Sequence, residues 1–277
     1  MTPSRIRFCL ASSALVMASR AAAEPSRELA RTDTPFLLAE TGVSLGLALG
    51  ANLLLPAPER CRWCEPNGFD RWGHDALLAD DPKGAAATSH VLSFGLSPLA
   101  ALGAVSFMPA FRGQSSDALP NAFIVLDAML VNLALSGAVK VAVARQRPAF
   151  YYGVEHESEW ADSKRERNLS FFSGDTSVAF SLAAAGSTVA FLRGYEYAPY
   201  FAVGSGLVAS GVGALRIAAN VHWPTDVVTG ALVGTAIGIG MPLLLHPRTG
   251  ARRSVPIVTA SPPAAGAPGQ VLVTMVW

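Results

Sequence analysis

Six apolar segments restrict most strongly how this chain can fold. They run from Pro35 to Pro56, Ala86 to Phe111, Pro120 to Ala144, Ser173 to Leu192, Ala198 to Val221 and Pro224 to His246. About 20 consecutive apolar residues in a helix cross the core of a bilayer, and inside lipid the helix satisfies all of its own backbone groups. The sequence therefore predicts an all-α fold, a bundle of six transmembrane helices.

The composition agrees with a membrane location. Hydrophobic residues make up 51% of the 277 residues and charged residues 15%, whereas roughly 25% of the residues of soluble domains are charged. The segments are rich in small residues, as in "GSGLVASGVGAL", which let helices pack closely within lipid. The net charge of +1 and the lack of a basic run give no reason to expect a nucleic acid partner.

The two ends of the chain differ from the middle. Residues 1–23 have the pattern of a signal peptide: Arg5 and Arg7, the apolar "CLASSALVMAS", and "AAA" before Glu24. An uncleaved N-terminus is the alternative. Residues 24–247 form the predicted helical membrane domain. Residues 248–277 are rich in Pro, Ala and Gly and are expected to be a flexible tail, in which "VPIVTA" and "VLVTMV" could pair as a short hairpin.

Two cysteines remain if Cys9 leaves with the signal peptide. Cys61 and Cys64 stand close together in "CRWC", and we expect them to form a disulfide in an oxidising compartment. A thioredoxin-like redox site would need a βαβ pattern around the pair. A zinc site would need two further ligands, of which His74 could supply one.

Ionisable residues inside the apolar segments are candidates for function. Glu40, His90 and Asp127 are interpreted as hydrogen-bonding partners between helices. Lys140 and Arg216 belong instead to clusters with defined spacing.

The first cluster is "KVAVARQRP". Lys140 and Arg147 are seven residues apart, about two helical turns, so they project from one face of a helix end. Pro148 then ends the helix. Two cations on one face need an anion to complete them, or their stems lie in lipid while the charges reach the headgroups.

The second cluster is "SFFSGDTS". Ser173 and Gly174 open an apolar helix, where free backbone N–H groups and the helix dipole favour an anion. An ordinary N-cap serine is the alternative. Asp175 follows and adds a negative charge at this site.

The third cluster is "LRIAANVHWPTD". Asp226 lies four residues after His222 and can orient one nitrogen of its ring. The other nitrogen is then available as a nucleophile. Arg216 precedes the pair and can bind the same substrate.

These clusters, K-x6-RP, SG and R-x5-H-x3-D, resemble the type 2 phosphatidic acid phosphatase (PAP2) superfamily, which also includes bacterial acid phosphatases and vanadium haloperoxidases. The resemblance implies that Lys140, Arg147 and Arg216 bind phosphate and that Ser173 and Gly174 donate hydrogen bonds to it. It also implies that His222 forms a phosphohistidine, oriented by Asp226, without a metal or other cofactor.

The sequence departs from the family pattern at two positions. Leu215 replaces the usual serine before the arginine, and "FSGD" replaces PSGH, so that Asp175 stands where the histidine that protonates the leaving group is expected. Either Asp175 is itself the acid or the acid is missing, with His156 as a conceivable substitute. Loss of general acid help typically slows turnover 10²–10⁴-fold, so we expect an attenuated phosphatase.

The expected substrate is a lipid phosphate or another phosphate ester, and membrane lipids are the expected surroundings. A vanadate-dependent haloperoxidase and a catalytically inactive protein of the same fold remain alternatives. The expected location is a bacterial inner membrane with the active site facing the periplasm, because Arg112, Arg193, Arg252 and Arg253 then lie inside. A cleaved signal peptide would reverse this orientation, and a soluble periplasmic form is a third possibility.

Overall fold

The structure, a computed structural model, describes residues 34–113, 115–154, 165–245, 255–261 and 270–276. Its helices are α1 Thr34–Leu49, α2 Gly68–Leu77, α3 Pro82–His90, α4 Ser97–Leu102, α5 Met108–Phe111, α6 Ser115–Val143, α7 Pro148–Tyr151, α8 Gly174–Leu192, α9 Ala198–Ala218 and α10 Pro224–Leu245. π-helical turns at Gly50–Leu54, Val91–Leu96 and Gly103–Phe107 extend or join these helices, and Glu166–Asn168 forms a 3-10 turn.

Six continuous helical spans in the described residues are long and apolar enough to cross a membrane. In chain order they are Pro35–Leu54, Pro82–Phe111, Ser115–Val143, Gly174–Leu192, Ala198–Ala218 and Pro224–Leu244. The predicted fold class is confirmed: the protein is a six-helix bundle of membrane-spanning type.

Two spans begin earlier than the apolar pattern predicts. The second begins at Pro82, because the carboxylate of Asp81 accepts a hydrogen bond from Gly84 N at 3.0 Å and caps the helix. The third begins at Ser115 and includes Pro120. Pro120 lies just beyond the first turn, where it removes a single backbone hydrogen bond of the helix. Asp117 in the first turn pairs with Arg193 at 3.3 Å.

The fourth span is the central helix of the bundle. In its most apolar 18-residue stretch, 72% is buried inside the protein, whereas the corresponding share is 44% or less in each of the other spans. Val178, Leu182 and Val189 of this helix belong to the main core cluster, with Val105 of the second span and Ile124 of the third. The outer faces of the other helices carry many exposed large apolar side chains, as expected of surfaces that contact lipid.

Three glycines bring the sixth span against the central helix. A Cβ atom on Gly230, Gly234 or Gly238 would lie 2.7, 2.2 or 2.4 Å from a carbonyl oxygen of the fourth span or its N-cap; the oxygens belong to Ser173, Ser177 and Ser181. Only glycine allows this approach, as in other closely packed membrane helices. The contact fixes the start of the sixth span beside the start of the fourth.

The loops that carry the three sequence clusters meet at one end of the bundle. Arg62 N donates to Ala144 O at 2.9 Å, and Ala79 N donates to Ala218 O at 3.1 Å. The loop after the first span therefore covers the end of the third span. Cys61 and Cys64 form a disulfide in this loop, with their Cα atoms 5.4 Å apart.

The C-terminal part contains one antiparallel hairpin. β1 (Val255–Ser261) pairs with β2 (Gln270–Val276), with Val255 opposite Val276. The segments "VPIVTA" and "VLVTMV", expected to be able to pair within the tail, do form a hairpin. The predicted signal peptide, Cys9, Arg252 and Arg253 lie outside the described residues.

Candidate active site

His222 lies in the short loop between α9 and α10. The left-handed backbone of Asn220, with φ of 60°, turns the chain there, and Pro224 begins the next helix. The imidazole is fully buried, and its Nδ1 lies 3.6 Å from Oδ2 of Asp226. The structure therefore places His222 and Asp226 side by side, with the ring turned towards the carboxylate.

Asp226 is held in place by several hydrogen bonds. Ser170 Oγ donates to its Oδ2 at 2.6 Å, and the backbone N–H of Trp223 donates to the same oxygen at 2.9 Å. The guanidinium of Arg145 forms an ion pair with its Oδ1. A carboxylate fixed in this way can in turn fix the orientation of His222.

Sequence reasoning missed Arg145 and Asp70. Nη2 of Arg145 lies 2.5 Å from Oδ2 of Asp70, and its guanidinium lies over the Trp63 ring at 3.8 Å. Asp70 belongs to a capping box with Asn67 at the start of α2. Asparagine followed three residues later by aspartate is a sequence signal for a helix start, but nothing in the sequence links it to Arg145. The K-x6-RP spacing points to Arg147 instead.

The three cations predicted to bind phosphate act on His222 together. Burial lowers the pKa of His222 well below its ordinary value, and three nearby positive charges add to this effect. These charges are those of Arg147, Arg216 and Lys140. The ring is therefore neutral at pH 7, as a nucleophile must be.

Lys140 approaches the start of the central helix. A Cβ atom on Gly174 would lie 3.2 Å from Nζ of Lys140 and 3.3 Å from Oγ of Ser136. Glycine at this position lets the ammonium group lie close to the helix start. The amides that begin the helix have no acceptor within the helix itself, so cation and amides can bind one anion.

Arg147 is buried in a set of oxygen acceptors. It donates to the carbonyls of Glu166 at 2.8 Å and Val221 at 3.0 Å, and to Oε2 of Glu166 at 2.6 Å. Burial alone would raise the pKa of the Glu166 carboxyl, but the charges of Arg147 and Lys140 outweigh it and hold that pKa below its usual value. Glu166 is thus a carboxylate beside two phosphate-binding candidates.

Ser173 is buried at the N-cap of the central helix. Its Oγ lies 2.9 Å from Oγ1 of Thr176, and its backbone N–H donates to Asp226 O at 3.1 Å. The second cluster is thereby joined directly to the third. The hydroxyl can still reach a ligand by rotating, because a hydroxyl both donates and accepts.

Asp175 lies against a histidine from another span. Its Oδ2 is 2.8 Å from Nδ1 of His90 and 3.6 Å from Nη1 of Arg216. His90 was predicted to be a polar partner between helices, and the partner is Asp175. A histidine within an apolar span is a functional candidate by default. That was the one sign in the sequence that His90 could belong to the site.

Other sequence candidates lie elsewhere. Asp127 is buried in the third span, thirteen residues and about 20 Å along the helix from Lys140. Leu215 packs against an apolar cluster that includes Ala86 and Val221. His156 lies outside the described residues. Within the part of the chain that the structure describes, no three His, Cys, Asp or Glu side chains are grouped to hold a metal ion.

Comparison with known protein families gives a direct match. Residues 121–249 match the PAP2 superfamily, and this range includes all three clusters. Residues 121–249 are therefore a PAP2 superfamily region. His90 and Asp70 precede the PAP2-matched residues, so the chain builds part of this site from outside them.

Two solved structures are similar to this protein. One is described as the first transmembrane PAP2 type phosphatidylglycerolphosphate phosphatase from Bacillus subtilis, with 17% identity, a TM-score of 0.44, and coverage of 75% of this chain and 90% of that chain. The other is Aquifex aeolicus LpxE, with 21% identity, a TM-score of 0.37, and coverage of 56% and 93%. No curated protein matches the sequence.

Proposed function

We propose that this protein is a membrane phosphatase that hydrolyses a phosphomonoester or pyrophosphate of a lipid through a phosphohistidine at His222. The observation that carries the proposal is the convergence of three cations on one buried histidine that faces Asp226. Three positive charges this close together are costly to bury unless anions neutralise them. Glu166 and Asp175 each lie against one of these cations, and a bound phosphate would add to that neutralisation.

In the first step, phosphate oxygens bind Lys140, Arg147 and Arg216 and the amides that begin the central helix. Nδ1 of His222 faces Asp226 at 3.6 Å, so the lone pair on Nε2 is the one that attacks phosphorus. The bond between phosphorus and the leaving oxygen breaks, and the cations stabilise the charge that develops on the phosphoryl oxygens. In the second step, water attacks phosphorus, the P–N bond breaks, and phosphate leaves.

An apolar cavity supports a lipid substrate. It has a volume of about 260 Å³ and lies between the second, fourth and fifth spans, lined by residues that include Leu96, Ala183 and Val208. These three lie six or eight residues from His90, Asp175 and Arg216 on the same helices, about 9–12 Å deeper at 1.5 Å per residue. A lipid with its phosphate at His222 can place its chain there.

The disulfide supports a periplasmic active site. Cys61 and Cys64 are joined in the loop that covers the site's end of the bundle, and disulfides persist in oxidising compartments. Arg112 and Arg193 lie in loops at the other end, which is the cytoplasmic end by the positive-inside rule. We therefore propose a bacterial inner membrane location with the site facing outward.

The test is phosphate release from a lipid phosphate and from an aryl phosphate by the purified protein in detergent. Wild type is expected to turn over both and to form an acid-labile, alkali-stable phosphoprotein, whereas His222→Ala forms none and releases no phosphate. Asp226→Asn is expected to form the same phosphoprotein, but more slowly than wild type. Wild-type turnover by His222→Ala would overturn the mechanism. Inactive wild type would favour a phosphate-binding protein without catalysis.

A further inference from the structure

His90 and Asp175 form a second histidine–aspartate pair beside the phosphate-binding cations. They come from the second and fourth spans and are joined by the 2.8 Å contact between Nδ1 and Oδ2. Nη1 of Arg216, which can only donate, lies 3.4 Å from the other ring nitrogen, Nε2, and Nε2 accepts from it when it carries no proton. The pair therefore presents Nε2 of His90 to the place where Arg216 would hold a phosphate oxygen.

The second pair resembles the first, with a shorter distance between nitrogen and oxygen, 2.8 Å against 3.6 Å. In both, Nδ1 faces an aspartate Oδ2, and a carboxylate on one ring nitrogen fixes the tautomer and leaves the other for proton or bond transfer. The two pairs differ in exposure: His222 is fully buried, whereas the His90 side chain is 29% exposed. A buried ring suits a nucleophile, and a partly exposed ring can exchange protons with water.

We infer that His90, positioned by Asp175, is the general acid that protonates the leaving-group oxygen. This inference rests on the proposed function. Asp175 is then the partner of an acid that another span supplies, and it need not carry the proton itself. Its contacts are with nitrogen atoms of His90 and Arg216, which suits a carboxylate that accepts rather than an acid that donates.

The proton and electron balance closes over both steps. As Nε2 of His222 bonds to phosphorus, the electron pair of the breaking P–O bond goes to the leaving oxygen, and protonated His90 gives that oxygen its Nε2 proton. The alcohol leaves and His90 is neutral. In the second step His90 takes a proton from the attacking water, the P–N electron pair returns to His222, and the enzyme is restored.

The position of the leaving group agrees with this role. The apolar cavity that can hold a lipid chain lies on the same three helices as His90, Asp175 and Arg216. The oxygen that joins the chain to phosphorus is therefore on the His90 side of the site.

His74, another buried histidine near the site, stacks on Tyr152 at 4.9 Å, and its Nε2 contacts Asn220 Oδ1 at 2.9 Å.

Two substrates with different leaving groups test whether His90 is the general acid. kcat/KM is measured for an alkyl phosphate, which needs a proton on its leaving oxygen, and for 4-nitrophenyl phosphate, which does not. His90→Ala and His90→Asn are expected to lower the alkyl value by about 10²–10³-fold, within the usual range for general acid help, and the aryl value by only a few-fold. His90→Asn is the matched variant, because an amide can keep the contact with Asp175 but cannot donate a proton in this way.

A rescue variant and a double-mutant cycle test the role of Asp175. The double variant His90→Ala/Asp175→His places an imidazole on the central helix. Its kcat/KM for the alkyl phosphate is expected to be at least tenfold higher than that of His90→Ala. Asp175→Asn on its own should lower kcat/KM for the alkyl phosphate about tenfold. It should add little to His90→Ala, because a positioning residue has no effect once the residue that it positions is gone.

Either of two results would overturn the inference alone. One is an equal loss on both substrates in His90→Asn, which indicates a structural role. The other is an alkyl value within twofold of wild type. In both cases the phosphatase stands, because aryl phosphate turnover still depends on His222. If wild type hydrolyses neither substrate, the proposed function fails and the inference fails with it.

Discussion

The guanidinium of Arg145 forms a buried ion pair with the carboxylate of Asp226, the residue that faces His222. The same guanidinium contacts Asp70 at 2.5 Å, so one cation balances two fully buried carboxylates. The orientation of His222 thus depends on residues from the start of α2, the loop after the third span and the start of the sixth span.

Arg145→Met is expected to destabilise the protein strongly. Removing one partner of a buried ion pair leaves an uncompensated charge, at a cost of about 3–5 kcal/mol. The measurement is the thermal unfolding midpoint in detergent, with Arg62→Met as the control. Arg62 is exposed and donates to Ala142 O at 2.7 Å, so its loss should matter little. Equal midpoints for the two variants would contradict the role of Arg145.

Vanadate, a phosphate mimic that accepts five ligands, should inhibit competitively, and two neighbouring residues should change its inhibition constant in opposite directions. Arg147→Ala removes a cation and should raise the constant about tenfold. Glu166→Gln removes the negative charge that pairs with Arg147 at 2.6 Å and should lower the constant several-fold. A shift in the same direction for both variants would show that these side chains lie outside the anion site.

The pH profile should reflect the low pKa of His222. Its folded pKa is lowered below 6.5, so the ring remains neutral, and nucleophilic, as the pH falls through 6.5. kcat/KM for an aryl phosphate, corrected for ionisation of the substrate, should therefore be lost only below pH 6.5. A half-maximal value at or above pH 6.5 would contradict a depressed pKa, since kcat/KM reports the free enzyme.

Gly234→Ala should disturb the contact between the sixth and fourth spans. The added Cβ would lie 2.2 Å from Ser177 O, a backbone atom, and overpacking of this kind costs about 1–3 kcal/mol. Gly240→Ala on the same helix is the control, because nothing lies within 4 Å of its Cβ position. We expect a lower unfolding midpoint and lower activity for Gly234→Ala alone. Identical stability of the two variants would contradict the close approach.

Gly204→Leu should fill the cavity proposed to hold the lipid chain. Gly204 lines that cavity, and nothing lies within 4 Å of its Cβ position, so the helix itself can accept leucine. The expected result is a several-fold higher KM for a long-chain lipid phosphate and little change for a short, soluble one. Gly206→Leu, which lines a different groove, is the control. The same KM change in both variants would contradict this binding position.

Much of the site could be predicted from sequence because it follows from the alternation of spans. Apolar segments of bilayer length are a local property, so the six spans could be recognised without knowing their packing. Lys140, Ser173, Arg216 and His222 each lie near a span end, and consecutive spans run in opposite directions. Their convergence at one end of the bundle follows from that alternation.

Only the tertiary structure decided which side chains face each other across helices. That choice depends on how far each helix is rotated and how closely it approaches its neighbours, which packing against Gly230, Gly234 and Gly238 sets. The sequence alone determined that Asp175 replaces the expected histidine. The fold brings His90 to within 2.8 Å of it from a span 85 residues earlier, because the second and fourth spans pack side by side.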